Sequence, residues 1–158
     1  MPPLVIENLD ALKEFVGQEI ATTDWFEVTQ ERIRQFAEAT EDRQWIHLDP
    51  DRAQRESPFA TTIAHGFLTL SLLSQLLEQA LQIHNSGMVV NYGLNRVRFP
   101  APVPADSRIR GRFALQSLKD VGKASEAVFS VAVEVQSEKG ENKSKPCCVA
   151  EWVIRFYP

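Results

Sequence analysis

Apolar residues follow different spacings in the two halves of the chain. Between Gly66 and Ile83 they recur every three or four positions, with serine, glutamine and glutamate between them. This spacing predicts one long helix over Phe67–Ile83, with a buried apolar face. Further along, apolar and polar residues mix as they do on strands that bury one face. The pattern there predicts four strands, at Met88–Phe99, Ser107–Ser117, Ala124–Ser137 and Cys147–Tyr157.

The segment before this helix predicts shorter elements separated by turns. Leucine and phenylalanine at helical spacing predict a helix over Asn8–Val16, which Gly17 ends. Thr29 has the hydroxyl side chain that is typical of a helix N-cap. The other predicted elements are a strand at Thr22–Val28, a helix at Gln30–Glu38, a turn at Thr40–Pro50, one helical turn at Asp51–Arg55 and an irregular segment at Ser57–Ala64.

The order of these elements predicts the fold class. A long helix followed by antiparallel strands is typical of an α+β domain in which the helix lies on a curved sheet. No internal repeat, low-complexity segment or long linker divides the chain. We therefore expect a single domain over residues 1–158, which is long enough to bury a sizeable core.

Composition and charge narrow the range of partners. The chain is 44% apolar and 24% charged, as an ordinary globular protein is. Its formal net charge of -4 argues against nucleic acid or an anionic membrane surface as a partner. No signal-peptide pattern is present, and the long helix has too many polar residues to span a membrane. Cys147 and Cys148 are adjacent on a strand, which favours reduced thiols and a cytoplasmic protein.

Asp42 and His47 are the first candidates for chemistry. They lie five positions apart in the predicted turn, so their side chains can converge on one water molecule. The structural alternatives are a turn carboxylate for Asp42 and a histidine bonded to backbone for His47. Gln44, between them, could orient a water or a substrate amide, or simply face solvent. Trp45 is better explained by packing.

A metal site is the weaker interpretation of this segment. His47, Asp49 and Asp51 have the spacing of possible ligands. However, Pro50 and the expected helix start at Asp51 explain both carboxylates as turn and capping residues. No second His or Cys cluster completes a zinc site, and neither cysteine has an activating neighbour in the sequence. We therefore expect no metal.

Gly66 is the second candidate position. It opens the predicted long helix, where a free backbone N–H could stabilise the charge of a developing enolate. The alternative is a glycine needed only for close backbone approach. The neighbouring His65 could be catalytic, but bracing of the loop is the better explanation. Ser74 could contact substrate or could bond back to a helix carbonyl.

Three segments carry a resemblance to a known family. The segment Asp42–Pro50 resembles the Asp-x-Asn-Pro-(Ile/Leu)-His-x-Asp pattern of the MaoC-like (R)-specific enoyl-CoA hydratases. The segment Ala64–Ser74 resembles their His-Gly-(Met/Phe)-Leu helix start. Gln-Trp-Ile-His followed by Asn91–Val103 resembles a branch of single-domain hydratases and nodulation-protein-N-like chains. The resemblance covers Trp25–Tyr157, with the segments in the right order.

This resemblance implies a hot-dog fold, a long helix wrapped by a curved antiparallel sheet, and a homodimer with an acyl-pantetheine tunnel near the subunit interface. It implies that Asp42 and His47 are the catalytic pair, that Gly66 donates to the thioester oxygen and that Ser74 lines the pocket. Gln44 and Trp45 stand where Asn and Pro are usual, a departure that puts substrate shape in question more than reaction type.

The resulting hypothesis is an (R)-specific enoyl-CoA hydratase that adds water reversibly, in the syn sense, to a trans-2-enoyl-CoA. The CoA thioester is the substrate, so no cofactor is expected. Two alternatives stay open: an acyl-CoA thioesterase on the same fold, and a non-catalytic acyl-binding or signalling module. Arg96 and Arg98 could contact the CoA phosphates or could lie on a solvated strand face.

Overall fold

The computed structural model describes residues 1–158, which form eight strands and six α-helices. In chain order these elements are β1 (Leu4–Ile6), α1 (Leu9–Leu12), β2 (Glu19–Thr22), β3 (Phe26–Val28), α2 (Gln30–Thr40), α3 (Trp45–Leu48), α4 (Pro50–Glu56), α5 (Gly66–Ser71), α6 (Leu73–Ala80), β4 (Leu81–Ile83), β5 (Met88–Arg98), β6 (Ser107–Val121), β7 (Ala124–Gln136) and β8 (Cys148–Tyr157). A 3₁₀ turn at Lys13–Phe15 follows α1.

The main sheet is antiparallel and has the order β2-β6-β7-β8-β5, with β3 pairing along β6 beside β2. The long strands β6 and β7 form a hairpin in which Val121 pairs with Ala124. Gly122 in the connecting turn has a φ of +61°, a conformation that costs glycine little. The strand β5 forms an open edge of this sheet, and it is 11 residues long.

The helices α5 and α6 pack on the inner face of the sheet. Along α6, residues Leu73, Leu76, Leu77 and Ala80 are buried at helical spacing. Alternate residues of β6 and β7 face them, because side chains on a strand point to opposite faces in turn. Twenty-nine buried residues form one hydrophobic cluster between these layers. The mixed helix-and-sheet class predicted from the sequence is confirmed, and so are the four long strands.

The long helix differs from the prediction at two points. Its regular geometry is interrupted at Leu72, although the backbone N–H of Leu76 still donates to the carbonyl of Leu72 at 2.9 Å. It ends at Ala80, three residues before the predicted end. The last segment forms strand β4, which pairs in parallel with β1. A pairing across more than seventy residues of sequence overrides the local helical pattern here.

Three further boundaries are corrected. The strand predicted at Thr22–Val28 is two strands, β2 and β3, both of which pair with β6. The segment Thr40–Pro50, predicted as a turn, contains the one-turn helix α3. The helix α4 runs over seven residues because Asp49 caps it, accepting from the backbone N–H of Arg52 at 3.0 Å, and Pro50 occupies its first turn. No helix is long and apolar enough to cross a membrane.

Candidate active site

Asp42 lies directly after the end of α2. Thr29 caps the start of this helix by accepting from the backbone N–H of Arg32 at 3.0 Å, as the sequence predicted. At its end, Glu41 adopts a left-handed conformation with a φ of +62°, which turns the chain away from the helix axis. Asp42 follows this turn with an exposed side chain.

His47 lies on α3 and is buried, with 6% of its surface exposed. Its Nδ1 atom is 2.7 Å from the carbonyl oxygen of Ile63. Because a carbonyl can only accept, the neutral imidazole carries its proton on Nδ1 and has a lone pair on Nε2. Burial lowers the pKa of His47, and the bond to Ile63 and the charge of Asp42 oppose this shift. The geometry therefore provides a neutral imidazole with a basic nitrogen.

His65 completes a cluster with these two residues. Its ring stacks on that of His47, with centroids 3.7 Å apart. Its Nε2 atom donates to the backbone carbonyl of Asp42 at 2.9 Å. This contact between the His65 side chain and the backbone of Asp42 agrees with the expectation that His65 braces the loop. The stacking on His47 was missed, and the His-Gly pair was the only signal for it.

One side-chain atom from each of Asp42, His47 and His65 lies within 4.8 Å of the others. This is the span that one water can bridge with two hydrogen bonds of about 2.8 Å each. A metal ion fits less well, because the lone pairs of two stacked rings lie in nearly parallel planes and do not converge. The arrangement therefore suits a bound water better than a cation, and the absence of a metal remains a prediction.

Gly66 is the first residue of α5. Its backbone N–H makes no hydrogen bond within the protein, because no carbonyl precedes it in helical register. The residue lines a cavity of about 270 Å³ together with Ile63, Phe99 and Cys147. A Cβ at this position would lie 3.1 Å from the ring of Phe99. Gly66 thus places a backbone donor without an internal partner on a residue that lines this cavity and directly follows His65.

Ser74 is not part of this cluster. It lines a different and larger cavity of about 470 Å³, between α6, β4 and the strands β5 and β8. There the side-chain nitrogen of Asn91 lies 3.5 Å from the Ser74 hydroxyl. The side-chain oxygen of Asn91 accepts a hydrogen bond from Nε1 of Trp152 at 2.8 Å. Neither Asp42 nor His47 lines this cavity or the smaller one. In one chain, the predicted pocket serine is therefore separated from the predicted catalytic pair.

Several other candidates lie away from the cluster. The side chain of Gln44 is exposed and makes no hydrogen bond. The apolar residues Trp45, Phe67, Leu70 and Leu73 line neither cavity. Arg96 pairs across the sheet with Glu151, next to the inward-facing Trp152, so it lies on the outer face. Arg98 shares that face.

The cysteines offer no nucleophile. Both are buried and unpaired with each other. Burial raises the pKa of Cys148 to about 11 and raises that of Cys147 further. A thiol that stays protonated is a poor nucleophile, even though Cys147 lines the cavity beside Gly66.

Comparison with known proteins places these features in a family. Residues 12–139 match the model of the MaoC like domain. The chain is 45% identical over 151 residues to the 3-hydroxyacyl-thioester dehydratase Z of Mycobacterium tuberculosis, covering 95% of this chain and 96% of the relative. It is 47% identical over 146 residues to Nodulation protein N of Rhizobium leguminosarum bv. viciae, covering 90% and 88%.

A solved structure gives the same fold. The unliganded R-hydratase PhaJ1 from Pseudomonas aeruginosa superposes with a TM-score of 0.65 at 22% identity, over 90% of this chain and 81% of that one. The chain therefore belongs to the MaoC-like domain family and has its hot-dog fold. It is an enzyme of the hydro-lyase class.

Proposed function

We propose that this member of the MaoC-like family adds water reversibly to trans-2-enoyl-CoA and forms (R)-3-hydroxyacyl-CoA. The observation that carries this proposal is the position of Asp42 and His47 within the span of one water, in a cluster with His65, which directly precedes the free N–H of Gly66. The related dehydratase Z is named for 3-hydroxyacyl thioesters, and the hydratase of similar fold is named for the R product. Dehydration of a 3-hydroxyacyl thioester is the reverse of hydration of an enoyl thioester. Both names therefore support the same reversible reaction.

In this mechanism Gly66 donates its N–H to the thioester oxygen, and the water lies between Asp42 and Nε2 of His47. Nε2 takes a proton from the water while the oxygen forms a bond to C3. The electron pair of the double bond moves toward the thioester oxygen, where the Gly66 N–H stabilises the enolate. The imidazolium then returns the proton to C2. Because both atoms come from one water on one face, the addition is syn.

Asp42 has a separate role in this scheme. Its carboxylate accepts the second hydrogen of the water and so orients the oxygen toward C3. Its negative charge also stabilises the transient imidazolium, because it raises the pKa of His47. A positioned acid–base group of this kind contributes about 10²–10⁴ in rate.

We also propose that the enzyme works as a homodimer through the edge of β5. This edge has unpaired backbone groups and carries exposed apolar side chains: Met88, Val89, Tyr92 and Leu94. Val89 and Asn91 of the same strand line the larger cavity, so a second copy along β5 would close it. A cytoplasmic location remains a prediction from the sequence alone.

The dimer can be tested by light scattering. Leu94→Lys should change the mass from twice 17.9 kDa to 17.9 kDa, because a lysine would then lie in the apolar interface. Val16→Lys is the control, since Val16 is also apolar and exposed but lies outside β5. A monomeric wild-type protein at micromolar concentration would contradict the proposal.

The reaction is tested by hydration of crotonyl-CoA and longer enoyl-CoAs, with chiral analysis of the product. We expect a reversible loss of enoyl absorbance, no free thiol and the R product. Release of free thiol from saturated acyl-CoA would instead show a thioesterase. Tight binding without turnover at any chain length would show a non-catalytic acyl-binding module. His84→Gln is the matched control for His47→Gln, because His84 is exposed and distant in sequence from the site.

A further inference from the structure

His65 is a buried histidine with no part in the proton transfers described above. Only 3% of its surface is exposed. Its ring contacts two others: Phe36 packs against it, tilted, with a centroid distance of 4.9 Å, and His47 stacks on it at 3.7 Å with 23° between the planes. The orientation of the His65 ring is therefore restricted by packing against two aromatic rings.

The two nitrogens of His65 have different surroundings. Nε2 carries the proton, since it donates to the carbonyl oxygen of Asp42 at 2.9 Å. Nδ1 is buried and has no hydrogen-bond partner. A buried polar atom without a partner disfavours the folded state. Phenylalanine would stack on His47 without this cost but could not donate to Asp42. Glutamine could donate but could not stack.

We propose that His65 is a positioning residue for hydration, which fixes the backbone of Asp42 through its Nε2–H and the ring plane of His47 by stacking. This inference rests on the proposed function, in which one water must lie between these two groups. Asp42 is in the loop after α2 and His47 is on α3, and His65 is the side chain that contacts both. A misplacement of about 1 Å in such a site can cost about 10²-fold in rate.

The electrostatic surroundings of His47 add a measurable consequence. The titratable groups that act on His47 are His65 and Asp42, and they oppose each other: His65 lowers the pKa of His47 and Asp42 raises it. A variant without an ionisable group at position 65 should therefore titrate His47 at a higher pH than the wild type does. This titration therefore reports whether the two rings lie together in the folded protein.

The first experiment needs no variant and no substrate. Nitrogen-15 NMR of the imidazole rings should show His65 as a single Nε2–H tautomer and His47 as a single Nδ1–H tautomer. The exposed His84 should show the mixture of tautomers typical of solvent and serves as an internal control. A proton on Nδ1 of neutral His65 would overturn the proposal, because Nε2 could not then donate to Asp42.

The second experiment separates the two contacts. His65→Gln keeps a donor for the Asp42 carbonyl and loses the stacking, whereas His65→Phe keeps the stacking and loses the donor. Each should lower kcat by about tenfold or more and leave KM within about threefold. In His65→Gln the pKa of His47 should rise, because the lowering effect of His65 is lost. If both variants keep kcat within about twofold of the wild type, the proposal is wrong.

A milder variant tests the proposal if neither His65→Gln nor His65→Phe folds. Phe36→Leu loosens the aromatic packing against His65 and leaves the hydrogen bond of His65 to Asp42 in place. It should lower kcat in the same direction, by a smaller factor, and unchanged kcat would overturn the proposal. A wild-type enzyme without hydratase activity would contradict the proposed function, whereas the NMR test of positioning would still give its own result.

Discussion

The Nδ1 atom of His47 and the carbonyl oxygen of Ile63 lie 2.7 Å apart and form a hydrogen bond. This bond fixes the proton of the neutral imidazole on Nδ1, so that Nε2 is free to accept a proton. Ile63 lies three positions before Gly66, and its own N–H donates to the carbonyl of Ile46 at 3.0 Å. Ile63, which binds the His47 ring, thus lies in the segment that leads to the free N–H at the start of α5.

Removing either member of the proposed catalytic pair should abolish most of the activity. Asp42→Asn keeps the shape of the side chain but loses the charge that stabilises imidazolium, and His47→Gln removes the base. We expect kcat for hydration to fall by about 10²-fold or more in each, with circular dichroism and Tm close to wild type. A loss below about tenfold in either variant would show that its role is assigned incorrectly.

The rate of hydration should depend on the protonation of His47. Because burial lowers its pKa below the ordinary value of 6.5, the imidazole is neutral and basic at neutral pH. The value of kcat/KM should be constant near neutral pH and fall about tenfold per unit once the pH drops below the lowered pKa. Measurement of kcat/KM from pH 8 to pH 4 tests this, and a decline beginning above 6.5 would contradict it.

The same pKa shift predicts a pH dependence of stability. Below pH 6.5 the unfolded chain protonates this imidazole, while the folded protein keeps it neutral until the pH reaches the lowered pKa. The free energy of unfolding therefore has its full contribution from His47 above 6.5 and loses it as the pH falls. Urea titrations should show a smaller loss of stability toward acid pH in His47→Gln than in wild type. Equal losses would argue against a depressed pKa.

Gly66 can be tested with a pair of substitutions. His65, before it, has a φ of -60° and a ψ of 136°, which suit a residue that precedes proline, and proline is favoured at the first position of a helix. Gly66→Pro therefore deletes the N–H in a compatible backbone, while Gly66→Ala keeps it. Both add a Cβ near the ring of Phe99. We expect kcat of the proline variant to be about 10²–10³-fold lower than kcat of the alanine variant. Similar kcat values in the two would exclude Gly66 as the donor.

Substitution of Gly111 tests the packing of the core independently of the proposed catalytic residues. A Cβ on this residue of β6 would lie 2.6 Å from the ring of Phe113, which is fully buried. The ring cannot move away without disturbing Leu76 and the rest of the cluster. Gly111→Ala should lower the free energy of unfolding by about 1–3 kcal/mol. Gly93→Ala is the matched control, because nothing lies near its added Cβ; equal destabilisation in both would refute the packing argument.

The elements that the sequence predicted best are those with purely local causes. Thr29 caps α2 because its side chain reaches a backbone N–H three residues on, and the buried positions of α2 follow from the helical period. The strands from Met88 onward were found by the mixture of apolar and polar residues. The end of the long helix was missed because β4 forms only through its pairing with β1, at the other end of the chain.

The candidate site also has some features that the sequence predicts and others that depend on long-range contacts. The spacing of Asp42 and His47 and the glycine at a helix start are visible in the sequence, since they belong to short motifs. The contact of His65 with Asp42 spans 23 positions, and the cavity that contains Ser74 is built from α6, β4, β5 and β8. No local pattern reports contacts of this kind, so the separation of Ser74 from the cluster was not foreseen.

The sequence by itself determined which chemical groups this protein has and the helices and strands that carry them, because side-chain period and capping act over a few residues. Only the tertiary structure decided which nitrogen of His47 is basic, that His65 stacks on it and that the Gly66 N–H stays free. Those properties depend on Ile63, Asp42 and the start of α5 meeting in space, and that meeting is set by the packing of the helices on the sheet.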